Sequence, residues 1–291
     1  MYFIADMKQN PRKTVEYPQK GAFMFRCPIC AGELRCGGAA WSCAAGHSFD
    51  VARQGYVNLL PADRKHSRHP GDALSAVQAR RIFLDGGHYA PLAERVAALA
   101  ASPQTVLDAG CGEGYYLGAV GRTCPDALRI GVDISKDAVR YAAGRDKKAI
   151  WLTASAAALP MDDAVCDLVL CMFAYTFPEE FARVLRPDGR LIQVLAGENH
   201  LTALKSVIYP TILHREKERA AALPGFALTH TETLTFPLHL TDAGQVASLL
   251  AMTPHFWRIT KEGAERAAAL TALDDQAEMV INVYRREAAH G

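Results

Sequence analysis

Short apolar runs and amphipathic segments alternate along the middle of the chain. Five runs of four to six mainly apolar residues lie at 105–108, 129–133, 149–152, 166–171 and 190–195, and most segments between them have helical periodicity. Such runs are typical of strands buried on both faces, and their alternation with helices favours a parallel sheet covered by helices. The pattern therefore predicts an α/β fold with one central sheet.

The regions on either side have different patterns. Residues 73–101 are rich in Ala and Leu at helical spacing, and Gly86-Gly87 predicts a break into two helices. Residues 61–72 are polar and are interpreted as a linker, whereas 1–22 lack periodicity and are predicted to be a flexible extension. Beyond residue 200 the pattern is less regular, with further strands expected around 227–236 and 280–284.

Composition narrows the class of protein. The chain has 291 residues, of which 50% are hydrophobic, so one large domain and one small domain can each bury a core. A formal net charge of +1 argues against a globally basic nucleic-acid binder, so any positive footprint must be local.

The cysteines and the apolar runs bear on the compartment. Eight cysteines are spread over the chain in a usage typical of reduced intracellular proteins, not of a disulfide framework. The sequence has no apolar run of about 18 residues and no signal-peptide pattern. We therefore expect a cytoplasmic protein without a membrane span.

A cysteine-rich segment near the N-terminus has metal-ligand spacing. The pattern is Cys-x2-Cys, twelve residues, then Cys-x3-His, and it is formed by Cys27, Cys30, Cys43 and His47. Three thiolates and an imidazole suit tetrahedral zinc, and four protein ligands make a closed, structural site. Cys36 lies between the two pairs and is the least favoured alternative ligand. Residues 23–60 are thus predicted to be a zinc-binding domain that one ion stabilises.

A glycine loop follows the first of the five predicted strands and opens a helix. Its spacing is Gly-x-Gly-x-Gly, at Gly110, Gly112 and Gly114, and not the Gly-x-Gly-x-x-Gly of folds that bind a pyrophosphate. Asp108, at the strand end, would repel a pyrophosphate but can meet the ammonium of a methionine moiety. Asp133 ends the next strand, where a carboxylate can accept both ribose hydroxyls of an adenosine. These features predict an S-adenosylmethionine site at the carboxyl ends of the strands.

Positive charge is concentrated between the two predicted domains. Six basic and two acidic residues lie within 53–81, and Arg64, Lys65 and Arg68 are candidates for contacts with RNA phosphates. The alternative is an ordinary solvated linker. A zinc-binding domain ahead of a methyl-transfer domain suggests a large, shaped substrate, and nucleic acid is the first candidate.

Seven stretches form a distinctive combination. They are Cys-Pro-Ile-Cys at 27–30, Gly-His-Ser-Phe-Asp at 46–50, Gly-Tyr-Val-Asn-Leu-Leu-Pro at 55–61, Arg-His-Pro-Gly-Asp at 68–72, Gln-Ala-Arg-Arg-Ile-Phe-Leu-Asp-Gly-Gly-His-Tyr at 78–89, the loop at 108–116, and Leu-Ala-Met-Thr-Pro-His-Phe-Trp at 250–257. Over about residues 23–285 the chain resembles the zinc-containing 23S ribosomal RNA (guanine-N1)-methyltransferases of bacteria. Many methyltransferases share the glycine loop alone, whereas the combination is specific to this family.

The resemblance implies a fold, an activity and site residues. The fold would be that of a class I, Rossmann-like S-adenosylmethionine-dependent methyltransferase over residues 73–291, with a small N-terminal zinc-binding domain. The activity would be methylation of N1 of one guanine in a hairpin loop of 23S ribosomal RNA by a homodimer. The resemblance also assigns zinc ligation to the four residues named above, and it assigns cofactor contact to Tyr89, Gly112, Glu113 and His200.

The sequence assigns no catalytic base. Guanine N1 carries a proton at neutral pH, so a base, or a dipole that stabilises the charge developing on O6, must assist. Asp167, Tyr175 and His200 are conceivable helpers, although Asp167 begins a buried strand and is interpreted as structural. Trp257 could stack on a splayed-out base, and the alternative for this residue is a core tryptophan. After the fourth strand, the chain has Phe-Ala-Tyr-Thr at 173–176 where the resembling proteins tend to carry an aromatic-Ala-Pro turn.

Two other functions stay open at this point. A small-molecule methyltransferase, for example one acting on a quinone precursor, would not need the zinc-binding domain or the basic linker. An RNA-binding zinc protein with a disabled cofactor pocket would not need the intact glycines, Asp108 and Asp133.

Overall fold

The computed structural model describes residues 24–61, 71–212 and 220–287. The predicted flexible extension at 1–22 and the RNA-contact candidates Arg64, Lys65 and Arg68 lie outside the described residues. Within the described ranges, no helix is long and apolar enough to span a bilayer.

Eleven strands and eight α-helices make up the described part of the chain. The strands are β1 Leu34–Arg35, β2 Ala40–Cys43, β3 Ser48–Asp50, β4 Tyr56–Asn58, β5 Thr105–Ala109, β6 Leu128–Asp133, β7 Ile150–Thr153, β8 Cys166–Met172, β9 Leu185–Ala196, β10 Phe226–Leu240 and β11 Leu273–Arg286. The helices are α1 Leu74–Asp85, α2 Ala90–Ala100, α3 Tyr115–Thr123, α4 Lys136–Arg145, α5 Pro178–Val184, α6 Thr202–Ile208, α7 Ala243–Ala251 and α8 Lys261–Ala268, with a 3-10 helix at Pro254–Trp257. The break predicted at Gly86-Gly87 separates α1 from α2, and Gly87 there has a left-handed backbone, with φ of +80°.

Eight strands form one sheet in the order β10-β11-β9-β8-β5-β6-β7-β4. The six strands β4 to β9 run parallel, which agrees with the prediction, but β11 is antiparallel to both β9 and β10. The five strands expected to be parallel are therefore confirmed, and the two later strands, for which no direction was predicted, add an antiparallel edge. Along the last five residues of β10, buried and exposed positions alternate strictly, as in an antiparallel strand with one solvated face.

The centre of the sheet places two predicted site carboxylates side by side. Every residue of β5 is buried, as expected for a strand covered on both faces. β5 pairs in parallel with β6, with Ala109 opposite Val132. Asp108 and Asp133 therefore lie at the carboxyl ends of neighbouring strands, where open α/β sheets bind ligands.

The cysteine-rich segment contacts this sheet in two ways, by strand pairing and by side-chain packing. Strands β1 to β3 form a separate antiparallel sheet, but β4, which we assigned to the zinc-binding domain, pairs with β7 at the edge of the large sheet. Phe25 forms a bridge with Met161, and both side chains belong to one hydrophobic cluster with Trp41 and Leu152. The cysteine-rich segment and the large sheet thus share a core, and apolar burial links their stability.

Candidate cofactor and metal sites

The four predicted zinc ligands form one cluster. The ligand atoms of Cys27, Cys30, Cys43 and His47 all lie within 4.8 Å of one another. The Sγ atoms of Cys30 and Cys43 are 3.7 Å apart, and Nδ1 of His47 is 3.5 Å from Sγ of Cys27 and 3.4 Å from Sγ of Cys43. A tetrahedral zinc ion with ordinary bond lengths separates two sulfurs by about 3.8 Å and a sulfur from a nitrogen by about 3.6 Å. The donor set and its spacing therefore fit one structural zinc ion.

Local backbone structure holds these ligands. The turn at 27–30 is closed by a hydrogen bond from the amide of Ala31 to the carbonyl of Cys27, 2.8 Å long. On the other side, the amide of Cys43 donates to the carbonyl of His47 at 3.0 Å, with Gly46 in a left-handed conformation between them. Cys36 is not part of the cluster, and burial raises the pKa of its thiol to about 12.

The glycine loop connects β5 to α3. The amides of Gly110 and Cys111 both donate to the carbonyl of Val132 on β6, at 2.8 and 3.0 Å. Gly114 has a φ of +79°, and a Cβ atom there would lie 2.5 Å from the ring of Trp151. A side chain at this position would be strained and would also collide with the indole, so glycine is required for α3 to begin here.

Asp133 connects the loop to the start of α4. Its Oδ2 accepts a hydrogen bond from the amide of Gly112 at 2.9 Å, and its Oδ1 accepts one from the amide of Ser135 at 2.8 Å. Burial raises the pKa of Asp133, and these two hydrogen bonds offset part of the shift. Each carboxylate oxygen retains capacity for another donor, so the side chain can still accept ribose hydroxyls.

Two further carboxyl groups are buried beside the loop. Both carboxyl oxygens of Asp108 and the Oε2 atom of Glu113 are buried. None of these three atoms has a hydrogen-bond partner of good geometry among the described residues. Burial raises the pKa of Asp108 to about 8, and the neighbouring Asp133 and Glu113 add to the shift, which the backbone of Leu117 offsets only partly. Orphaned buried carboxyl oxygens are costly unless a ligand supplies the missing donors. The ammonium of a methionine moiety would supply them at Asp108.

Arg80 on α1 is a site residue that sequence reasoning missed. It was counted only as part of the basic segment, but its Nη1 atom lies 3.6 Å from where a Cβ of Gly112 would be. Its Nη2 bonds the carboxylate of Asp72. Burial acts to lower the pKa of Arg80, but Asp72, with Glu113 and Asp133, outweighs burial and raises it. The guanidinium therefore faces the acidic cofactor loop.

Gly71 and Asp72, within the basic segment, pack against the turn between β6 and α4. A Cβ atom at Gly71 would lie 2.8 Å from Cβ of Ser135, and Ser135 Oγ donates to the carbonyl of Asp72 at 3.3 Å. This contact places Gly71 and Asp72 beside the candidate ribose acceptor, Asp133. The spacing of the sequence contained no signal for this contact.

The structure brings together Tyr89 and His200, which were assigned to the cofactor only by resemblance. The Tyr89 hydroxyl lies 3.4 Å from His200 Nε2, and both side chains are buried. His200 Nδ1 accepts from the amide of Glu278 at 3.3 Å, so the neutral ring carries its proton on Nε2, facing Tyr89. Burial raises the pKa of Tyr116 on α3, and Tyr89 belongs to the same hydrophobic cluster as Tyr116.

Other predicted residues lie elsewhere. Asp167 accepts hydrogen bonds from the amides of Gln104 and Thr105 at 3.0 and 2.7 Å and pairs with Arg186 at 2.7 Å, so it is structural. It is the second residue of β8, at the opposite end of the sheet from the glycine loop. Trp257 is 67% exposed on the 3-10 helix, which argues against a core tryptophan, and its role in binding RNA stays a prediction.

The strand order, the acidic glycine loop and the Cys3His cluster together define a class I S-adenosylmethionine-dependent methyltransferase with an N-terminal zinc ribbon. Two family models match the chain: "RlmA, N-terminal", a zinc ribbon, at residues 25–68, and "Methyltransferase domain" at residues 107–193. The 23S rRNA (guanine(748)-N(1))-methyltransferase of Streptomyces fradiae is 37% identical over 267 residues, which cover 86% of this chain and 92% of that protein. The chain belongs to the 23S rRNA (guanine-N1)-methyltransferase family.

Two other relatives show how far the likeness extends. A Bacillus subtilis protein, whose name assigns it the same guanine-N1 reaction, is 32% identical over 268 residues, with 86% of this chain and 91% of that protein covered. The malonyl-[acyl-carrier protein] O-methyltransferase of Hahella chejuensis is 36% identical, but over only 99 residues, 31% of this chain and 36% of that protein. The guanine-N1 relatives match most of the chain, whereas the acyl-carrier relative matches about a third of it.

Proposed function

We propose that this protein transfers a methyl group from S-adenosylmethionine to N1 of a guanine in a hairpin loop of 23S ribosomal RNA. The observation that carries the proposal is the match to the Streptomyces fradiae guanine-N1 enzyme over 92% of that protein's length. A small-molecule methyltransferase has no evident use for the zinc ribbon, which here shares a core with the methyltransferase sheet.

The cofactor site is assigned to residues around the glycine loop. The carboxylate of Asp133 accepts hydrogen bonds from the ribose hydroxyls, because the amides of Gly112 and Ser135 occupy only part of its acceptor capacity. Asp108 meets the methionine ammonium, which relieves its orphaned oxygens. The remaining cofactor contacts are assigned to Gly110, Gly112, Glu113, Tyr89 and His200.

Methyl transfer requires no covalent bond between the protein and the methyl group. Bound S-adenosylmethionine supplies a methyl group already activated by its sulfonium. The chain must therefore hold guanine N1 in line with that methyl, exclude water and accept or redirect the N1 proton. Asp167 is unsuited to this role, because its carboxylate is engaged with two backbone amides and Arg186.

The proposal extends to assembly and location. Two copies form a homodimer, and the enzyme works in the cytoplasm, where ribosomal RNA is made. Support for both comes from the family resemblance. Light scattering during size-exclusion chromatography tests the dimer, and a mass of one chain, 31.6 kDa, at working concentration would contradict it.

Methyl transfer to RNA tests the function directly. Wild-type protein is incubated with labelled S-adenosylmethionine and unmodified 23S RNA, and Asp133→Ala serves as the defective control. We expect label in RNA and one strong reverse-transcription stop, because N1 methylation blocks base pairing. Label found only in small molecules would support the small-molecule alternative. Failure to bind S-adenosylmethionine in calorimetry would support the non-catalytic zinc protein instead.

A further inference from the structure

The turn after β8 carries two exposed aromatic rings. Phe173 is 43% exposed and Tyr175 is 87% exposed, although the strand that leads into them is buried. Phe173 also has a left-handed backbone, with φ of +55°, which a bulky side chain rarely adopts. Strained backbone and large exposed apolar side chains both concentrate at binding sites.

The same turn rests on the cofactor loop. A Cβ atom at Gly110 would lie 2.7 Å from Cβ of Ala174, the residue between the two aromatic rings. Gly110 is the first glycine after Asp108, so the turn lies over the end of the site assigned to the methionine moiety. Phe173 also packs near Tyr116 on α3, with ring centroids 6.4 Å apart.

A chain of hydrogen bonds, buried at its centre, supports the turn from within the sheet. Thr231 on β10 donates to Asn282 on β11 at 2.7 Å, and Asn282 donates to Gln193 on β9 at 3.2 Å. Gln193 in turn donates to the hydroxyl of Thr176, in the turn, at 2.8 Å. Gln193 and Asn282 are buried within the sheet. A satisfied buried polar network specifies one geometry. The exposed ring of Tyr175 is therefore presented on a rigid support.

We propose that Tyr175 is the platform on which the target guanine stacks, with Phe173 beside it, when guanine N1 is presented to the methyl group. The proposal rests on the proposed function and deepens it. Bases in RNA loops can be splayed out and stacked on aromatic side chains. Tyr175 suits this role better than Trp257, because its turn contacts the glycine loop through Ala174.

Steady-state kinetics on the mapped 23S hairpin test the platform. Tyr175→Ala should lower kcat/KM for the RNA by about 5- to 160-fold, the range expected for losing one base–aromatic stack. Tyr175→Phe should stay within about twofold of wild type, because the stacking ring remains. Affinity for S-adenosylmethionine should not change in either variant. Leu228→Ala, an exposed apolar side chain on the edge strand β10, is the matched control.

A hairpin with an abasic site in place of the target guanine separates stacking from general RNA binding. Wild type and Tyr175→Ala should bind this RNA equally, because the base that distinguishes them is absent. A Tyr175→Ala enzyme with wild-type kinetics would overturn the proposal, as would a loss seen only in Trp257→Ala. Lost cofactor binding in Tyr175→Ala would make the residue structural. If the wild-type enzyme methylates no RNA, the proposed function falls as well, so the two failures are distinct.

Discussion

The carboxylate of Asp133 accepts a hydrogen bond from the backbone amide of Gly112 at 2.9 Å. The side chain proposed to hold the ribose therefore also fixes the middle of the glycine loop. Its other oxygen caps the amide of Ser135, which begins the turn into α4. One carboxylate thus fixes both the glycine loop and the start of α4.

Replacing Asp133 should damage cofactor binding more than it damages the fold. Asp133→Ala removes the ribose acceptor and frees the Gly112 amide, so we expect affinity for S-adenosylmethionine to fall more than tenfold in calorimetry. The fold should persist, because the substitution also removes a buried carboxyl group that has to be desolvated. Asp137→Ala, on α4 and paired with Arg140 at the surface, is the control. Unchanged affinity in Asp133→Ala would remove Asp133 from the site.

Arg80 should discriminate between the sulfonium donor and its thioether product. Its guanidinium faces Glu113 and Asp133, so Arg80→Ala leaves the site more negative by one charge. We expect S-adenosylmethionine to bind about tenfold more weakly, because a charge-assisted contact over the loop is lost. Binding of S-adenosylhomocysteine should weaken more, since it lacks the positive sulfur. Calorimetry measures the affinity of each variant for both ligands, and Arg140→Ala is the control. Equal affinities in Arg80→Ala and wild type would refute this role.

The buried Asp108 should make the ligand-free protein less stable at alkaline pH. Its pKa is raised to about 8, so the folded protein retains a proton that the unfolded chain releases above about pH 4. Stability therefore falls as pH rises from about 4 to about 8. Asp108→Asn cannot ionise, so its melting temperature at pH 8 should exceed that of wild type by at least about 3 °C, roughly the effect of 1 kcal/mol.

Thermal melts at pH 5 and pH 8 without cofactor measure this effect. The advantage of Asp108→Asn should shrink toward pH 5, where the wild-type carboxyl is protonated in the folded state. Affinity for S-adenosylmethionine should fall in the same variant, because the amide cannot offer a charge to the ammonium. Parallel pH profiles for variant and wild type would show that Asp108 does not titrate as proposed.

Local sequence patterns were sufficient for much of the architecture. The zinc ligands are grouped within 21 residues of sequence, and the strand-loop-helix unit around Asp108 is contiguous. Each of these patterns reflects short-range geometry. Expected strands at 105–108 and 129–133 correspond to β5, which ends one residue after Asp108, and to β6, which ends at Asp133.

Contacts between distant segments were not predictable in this way. Tyr89 and His200 meet across 111 residues, and no spacing rule could pair them; only the family resemblance pointed to both. Arg80 was counted only among the basic residues of 53–81, which were interpreted as candidates for RNA phosphate contacts or as a solvated linker. Its position over Gly112 depends on how α1 packs, which tertiary contacts decide. The alternation of β10 was visible in the sequence but was not used to infer an antiparallel strand.

Removal of zinc should abolish RNA methylation before it abolishes cofactor binding. Chelation should loosen the ribbon and abolish RNA methylation while cofactor binding persists, because Asp108 and Asp133 lie on the central strands β5 and β6. Hydrogen exchange should rise first within residues 24–50. It should then rise at β4 and β7, since these strands join the ribbon to the sheet. Simultaneous loss of both functions would assign zinc to overall stability.

Cysteine variants give the same test without a chelator. Cys30→Ser should lose the bound zinc, because a hydroxyl is a poor replacement for a thiolate in a tetrahedral site that has no spare protein ligand. Cys36→Ser should retain one zinc ion per chain, because Cys36 lies outside the cluster of four ligands. Metal analysis of the purified variants measures this difference. The opposite result, in which Cys36→Ser loses zinc and Cys30→Ser retains it, would show that Cys36 and not Cys30 is the ligand. The ribbon would then have to fold around a different turn from the one closed by Ala31.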